Sequence, residues 1–172
     1  LRIATAGSGN YAYLGSVSSS ATDLYLEAAS DKPASGSGLY LSIVGRRVSG
    51  SGEYRAKAVI TATGAVNLSL IRTTASGAES TIQSGLAIAG LNYAVGDRLA
   101  IRMQVTGTGT TTIRAKVWEV GTAEPASWQR SVTDTTAALQ TAGNVGLMTY
   151  LSGSANNAPL TVRIDNLRAT TP

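Results

Sequence analysis

Histidine and cysteine are both missing from this sequence of 172 residues, and their absence removes more chemistry than any motif supplies. No thiolate nucleophile, disulfide or thiolate metal site can be built, and no imidazole base or ligand. A serine nucleophile would then need a desolvated lysine as its base. Lys32 sits beside Pro33 in a loop, while Lys57 and Lys116 alternate onto wet strand faces. Glycoside hydrolysis needs two carboxylates flanking one bond. The acids here are dispersed: Asp23 and Glu27 on one strand with Tyr25 between them, Glu53 alone, Glu119 and Glu124 near a loop. A solvated face is the expected place for them. The glycine-rich stretches precede no helix and read as hairpin turns, not as phosphate cradles. The sequence therefore predicts a protein that is not an enzyme.

Binding chemistry remains. Aromatic rings can lie against the apolar faces of sugars while a few polar groups fix orientation. Alternation puts Trp118 on one face with Arg114 and Lys116, and turns Arg102, Tyr40 and Tyr150 outward on their own strands. Together they predict one aromatic and arginine-bearing sheet face suited to a polysaccharide or cell-surface glycan. Trp118 could equally be covered by Glu119–Trp128, with Pro125 and Trp128 packing beside it, and burial is the expectation for Trp128. Asp165 alternates away from the core near the end of the last strand. It is a candidate ligand for a structural calcium completed by loop carbonyls, the alternative being an ion pair or a turn hydrogen bond.

Fourteen basic against ten acidic residues give a net charge of +4. The charges are scattered, with Arg46-Arg47 the only adjacent basic pair, so no nucleic-acid footprint is expected. No apolar run approaches a membrane span.

The elements that must position these residues are strands. Period-two alternation recurs throughout: Leu24, Leu26 and Ala28; Leu39, Leu41 and Ile43; Tyr54, Ala56, Ala58 and Ile60; Leu99, Ile101, Met103 and Val105; Ile113, Ala115 and Val117; Leu160, Val162 and Ile164. One buried and one wet face is the pattern of antiparallel strands, and about ten to twelve short ones fit the chain. Only Asp134–Thr141 suggests a helical turn, or else a loop. No linker-length stretch and no fixed repeat divides residues 1–172. The expectation is one all-β domain, a two-sheet antiparallel β-sandwich.

The stretch Tyr93-Ala94-Val95-Gly96-Asp97-Arg98-Leu99, the strand Ile113-Arg114-Ala115-Lys116-Val117-Trp118, and Gly121-Thr122-Ala123-Glu124-Pro125-Ala126-Ser127-Trp128 add a family signal. With Gly143-Asn144-Val145-Gly146-Leu147, Ile164-Asp165-Asn166-Leu167 and Tyr40–Arg55, they resemble the concanavalin A-like jelly-roll modules of the laminin-G-like type. Such modules occur in secreted actinobacterial proteins and in tail proteins of phages infecting those bacteria. The resemblance implies a non-catalytic, extracellular or virion-surface module that binds glycan or adheres. The alternative is a structural virion component, in a tail or capsid decoration, acting through contacts with other subunits. Members often carry a further N-terminal segment and first strand ahead of the point where these residues begin. Another segment or chain is expected to complete the sheet, or a strand edge stays open.

Overall fold

The computed structural model describes residues 1–172. Twelve strands are present: β1 (Arg2–Ile3), β2 (Gly9–Ser19), β3 (Ala21–Ser30), β4 (Leu39–Val48), β5 (Gly52–Ile60), β6 (Ala65–Thr73), β7 (Glu79–Asn92), β8 (Leu99–Thr106), β9 (Thr111–Glu119), β10 (Arg130–Asp134), β11 (Gly143–Leu151) and β12 (Leu160–Thr170). Sheet one has the order β1-β12-β3-β8-β9-β10, and sheet two the order β2-β11-β4-β5-β6-β7. All neighbours run antiparallel. Hairpins join β4 through β7 within sheet two, and β8 through β10 stay together in sheet one. Elsewhere the chain passes from one sheet to the other, which makes the sandwich a jelly roll. The predicted helical turn is a short 3-10 turn, Ala137–Leu139.

The alternating apolar positions meet between the sheets. Leu24, Leu99, Ile101, Ile113 and Val162 from sheet one face Leu39, Ile43, Ala56, Leu68 and Val145 from sheet two, all fully buried. Burying each of the larger side chains contributes about 1.5–3 kcal/mol, so this two-sided apolar face accounts for the layer arrangement.

Arg46 breaks the alternation. The register between β4 and β5 slips between Val44 and Arg46, so Gly45 is the extra residue of a β-bulge and Arg46 pairs with Tyr54 on the inner face. A side chain at Gly45 would strike Val105 and Met103 of β8, so the bulge needs glycine there. Arg46 is fully buried and donates to Thr111 Oγ1 and to the carbonyls of Leu139, Ser20 and Gly107. It closes one end of the sandwich by satisfying four acceptors from three segments: Ser20, the Gly107–Thr111 turn and Leu139.

Several expectations need correction. Asp23 and Glu27 are not on a solvated face but buried, each paired with an arginine. Lys116 is likewise buried and not wet. Strand β1 pairs with β12 at Leu160 and Thr161.

Candidate functional site

The six predicted binding residues do not share a face. Arg102 on β8 and Arg114, Lys116 and Trp118 on β9 lie on the outer face of sheet one. Tyr40 on β4 and Tyr150 on β11 lie on the outer face of sheet two, on the opposite side of the core. Strand alternation says which residues point outward but not which sheet a strand joins, and that is why the single face divides.

On sheet one the predicted residues are consumed internally. Arg102 makes a two-point contact with Asp23, at 2.9 and 2.7 Å, and reaches Glu124 at 2.7 Å. Lys116 donates to the Pro125 carbonyl and pairs with Glu124, both at 2.7 Å. Arg114 donates twice to Gln104. The segment after β9 folds back over them, and Trp128 lies against Arg114 and Lys116, each 4.9 Å from its ring centre. Trp118 is only 7% exposed and packs against Tyr25 at 5.9 Å. Trp118 is thus buried against Tyr25 of β3, while Trp128 is half-buried and covers Arg114 and Lys116. Burial pushes the Asp23 carboxyl up, but hydrogen bonds from Arg102 and Gln104 outweigh it, so the group titrates below its ordinary range. Tyr25 is pushed up to about 12 by burial and by its hydrogen bond to Glu27.

Asp165 offers one exposed carboxylate beside an arginine. Its side chain is 68% exposed, and the Arg98 guanidinium stands 2.9 Å from Glu27 and 4.0 Å from Asp165. A cation there would have to displace Arg98. No group of three or more acidic, His or Cys side chains gathers anywhere in the structure. The ion-pair and turn alternative describes Asp165, which also accepts from the Asn166 N–H.

Sheet two is different. Tyr40 and Tyr150 meet edge to face, ring centres 5.5 Å apart, and open onto a trough with residues the sequence reading passed over: Tyr11 and Tyr13 of β2, Arg47 of β4, and Arg55 and Lys57 of β5. Two adjoining cavities make up the trough, of about 290 and 330 Å³, with Tyr11, Arg55 and Gly77 lining both. Tyr11 and Tyr13 stack with ring centres 6.3 Å apart, and Tyr11 is 55% exposed. The Arg47 guanidinium lies 4.4 Å from the Tyr13 ring centre. Glu53 accepts from Arg55 Nε and, at 3.1 Å, from the Tyr13 hydroxyl. Glu79 accepts from Arg55 at 3.0 Å and from Lys57. Burial and the neighbouring Glu53 push Tyr13 upward, away from any role as a base at neutral pH.

One signal could have found this trough: Tyr11 and Tyr13 alternate two residues apart. The pairing of β11 with β2 on one side and β4 on the other, which brings the tyrosines together, joins residues far apart in the chain, such as Met148 with Tyr11 and Tyr150 with Tyr40.

No protein-family model matches the sequence, and comparison with curated proteins finds no match. Solved structures do match in fold. The chain is similar to carbohydrate-binding module CBM66 from Bacillus subtilis, with a TM-score of 0.62 and 13% identity over 99% of this chain and 86% of that one. It is similar to alginate lyase Aly36B solved with an alginate trisaccharide, with a TM-score of 0.61 and 9% identity over 99% and 81%. It also matches part of a xylan β-1,4-xylosidase from Bacillus halodurans C-125, with a TM-score of 0.56 and 12% identity over 98% of this chain and 32% of that one. The chain has the concanavalin A-like β-sandwich fold, one shared by binding modules and enzymes, so the fold by itself does not choose between them.

Proposed function

We propose that this concanavalin A-like sandwich is a non-catalytic, extracellular glycan-binding module that holds its ligand in the tyrosine trough of sheet two. The observation that carries the reading is the exposed Tyr11 ring stacked on Tyr13 beside Arg47. It combines a flat apolar platform with fixed donors, which is what a sugar ring needs. This moves the site away from Trp118 and keeps Tyr40 and Tyr150 within it. Binding without catalysis is supported by the state of the trough's groups: Lys57 is held by Glu79, and Tyr13 is harder to ionise than a free tyrosine.

The test is polysaccharide affinity electrophoresis and a glycan array with folded wild-type protein and Tyr11→Ala. The wild type should bind, and the variant should lose at least about tenfold in affinity with an unchanged melting temperature. Absence of binding to every neutral and acidic glycan would sink the reading. New reducing ends or unsaturated products would show that the module is an enzyme.

A second reading, a structural virion or surface-assembly component, has one specific observation in its favour. The edge strand β7 runs from Ser80 to Asn92 without a charged residue or proline, and Leu86 on it is 42% exposed. Sheet edges that avoid pairing usually carry such residues, so this edge suits a neighbouring subunit. Self-association that depends on β7 is the result expected under this reading.

A further inference from the structure

The trough of sheet two has uncommitted cationic donors, while both of its carboxylates are committed. Both Glu53 oxygens are engaged, by Arg55 and by the Tyr13 hydroxyl, and the side chain is only 4% exposed. Each Glu79 oxygen already accepts from a cation. Arg47 is the opposite case. It is one-third exposed, its Nε lies 3.7 Å from Glu53, beyond hydrogen-bonding range, and its guanidinium donates no hydrogen bond. Nη2 of Arg55 is also uncommitted, since Nε serves Glu53 and Nη1 serves Glu79 and Met148.

The outer face of sheet one provides the contrast. Arg102, Lys116 and Arg114 there also face only two carboxylates, Asp23 and Glu124, but each of the three is held in hydrogen bonds, Arg114 by Gln104. In the trough, Arg47, Arg55 and Lys57 face only Glu53 and Glu79, leaving surplus positive charge beside an aromatic platform. A guanidinium held flat by a ring below it presents a planar fork, the geometry that takes an oxyanion at two points.

We infer that the trough, on the reading that it binds glycan, selects sugars bearing an oxyanion, with Arg47 as the receptor for that group and Tyr11 as the platform for the ring. A uronate carboxylate and a sulfate ester share this chemistry. The selectivity arises because the trough's carboxylates are spent on Arg55, Lys57 and Tyr13, leaving Arg47 unanswered.

Isothermal titration with two matched pairs tests this: oligogalacturonate against its methyl ester, and dextran sulfate against dextran. Each pair keeps the backbone and removes the charge. The charged member should bind at least about tenfold more tightly, the scale of one hydrogen bond to a charged group. Arg47→Gln should erase that difference, and Arg47→Lys should keep part of it. Arg114→Gln, on the far face, should change nothing. Preference for oligogalacturonate alone or for dextran sulfate alone identifies the carboxylate or the sulfate as the source, and both results support the proposal. Equal affinity for charged and neutral members, with Tyr11→Ala still abolishing binding, overturns the selectivity and leaves glycan binding standing. No binding to any of the four by folded protein overturns the selectivity, and absence of binding across the glycan array as well overturns both. Equal losses in Arg47→Gln and Arg114→Gln reveal diffuse attraction to a basic protein and also overturn the assignment.

Discussion

Arg46 carries a full charge into the core with no carboxylate beside it. Its Nη donors are met instead by the Thr111 hydroxyl and by carbonyls of Leu139, Ser20 and Gly107, while Nε has no partner. Carbonyl dipoles can hold a buried guanidinium when several converge, and its loss leaves each of them unsatisfied. Arg46→Ala should therefore cost about 3 kcal/mol or more of stability, measured by urea unfolding. Arg47→Ala, on the wet side of the same bulge, should cost less than about 1 kcal/mol. The sequence shows the two arginines as one basic pair. Only the extra residue at Gly45 sends one inward and the other out, and nothing in the pair itself announces the bulge.

At the scale of elements, β9 and the segment after it behave as one unit. Lys116, Arg114 and Trp118 alternate outward as the sequence implies, and then the chain returns so that Pro125 and Trp128 cap the two cations, while Trp118 packs on Tyr25. Outward-facing and exposed are thus different properties, because period-two alternation fixes direction whereas exposure depends on what folds over the strand. Edge strand β7 differs in having no such cover along Gly85–Leu91, where Leu86, Ala87 and Ala89 stay exposed. If β7 is an assembly edge, the wild type should sediment as an oligomer at high concentration. Leu86→Lys should then return it to a monomer with its glycan binding intact. A wild type that stays monomeric throughout would remove the structural reading.

Across the whole molecule the two sheets are tied by polar contacts as well as by the core. Tyr54 of sheet two donates to Asp134 of sheet one at 2.6 Å, and Arg72 of sheet two reaches the same carboxylate at 2.8 Å. Burial raises the Asp134 pKa, but the Tyr54 hydroxyl, the Thr136 N–H and the Arg72 charge outweigh it, so the folded value lies below the ordinary 3.8. A carboxylate depressed in the folded state stabilises the fold above its unfolded pKa, and this contribution is lost as pH falls through the folded value. Asp23 is depressed in the same direction. Thermal melts should accordingly drop as pH falls below about 3.8. Asp134→Asn should melt lower than wild type at pH 7, by about 1–3 kcal/mol of stability, and the gap should close in acid. A constant gap down to low pH would show that the Asp134 charge contributes nothing.

The sequence determined by itself that the chain is an antiparallel sandwich, because alternation assigns each strand a buried and a wet face whatever its neighbours are. It also removed histidine and cysteine chemistry outright. It placed Tyr40 and Tyr150 outward correctly but joined them to Trp118, since sheet membership is a long-range property that period-two reading cannot contain. The tertiary structure decided the rest. Pairing β2 with β11, and β11 with β4, gathered Tyr11, Tyr13, Tyr40, Tyr150 and Arg47 into one trough. The folded-back segment closed the face around Trp118, and the bulge at Gly45 divided the arginine pair. Each of these depends on contacts between residues far apart in the chain, where the hydrogen-bonding and packing partners are set by the whole fold and not by local spacing.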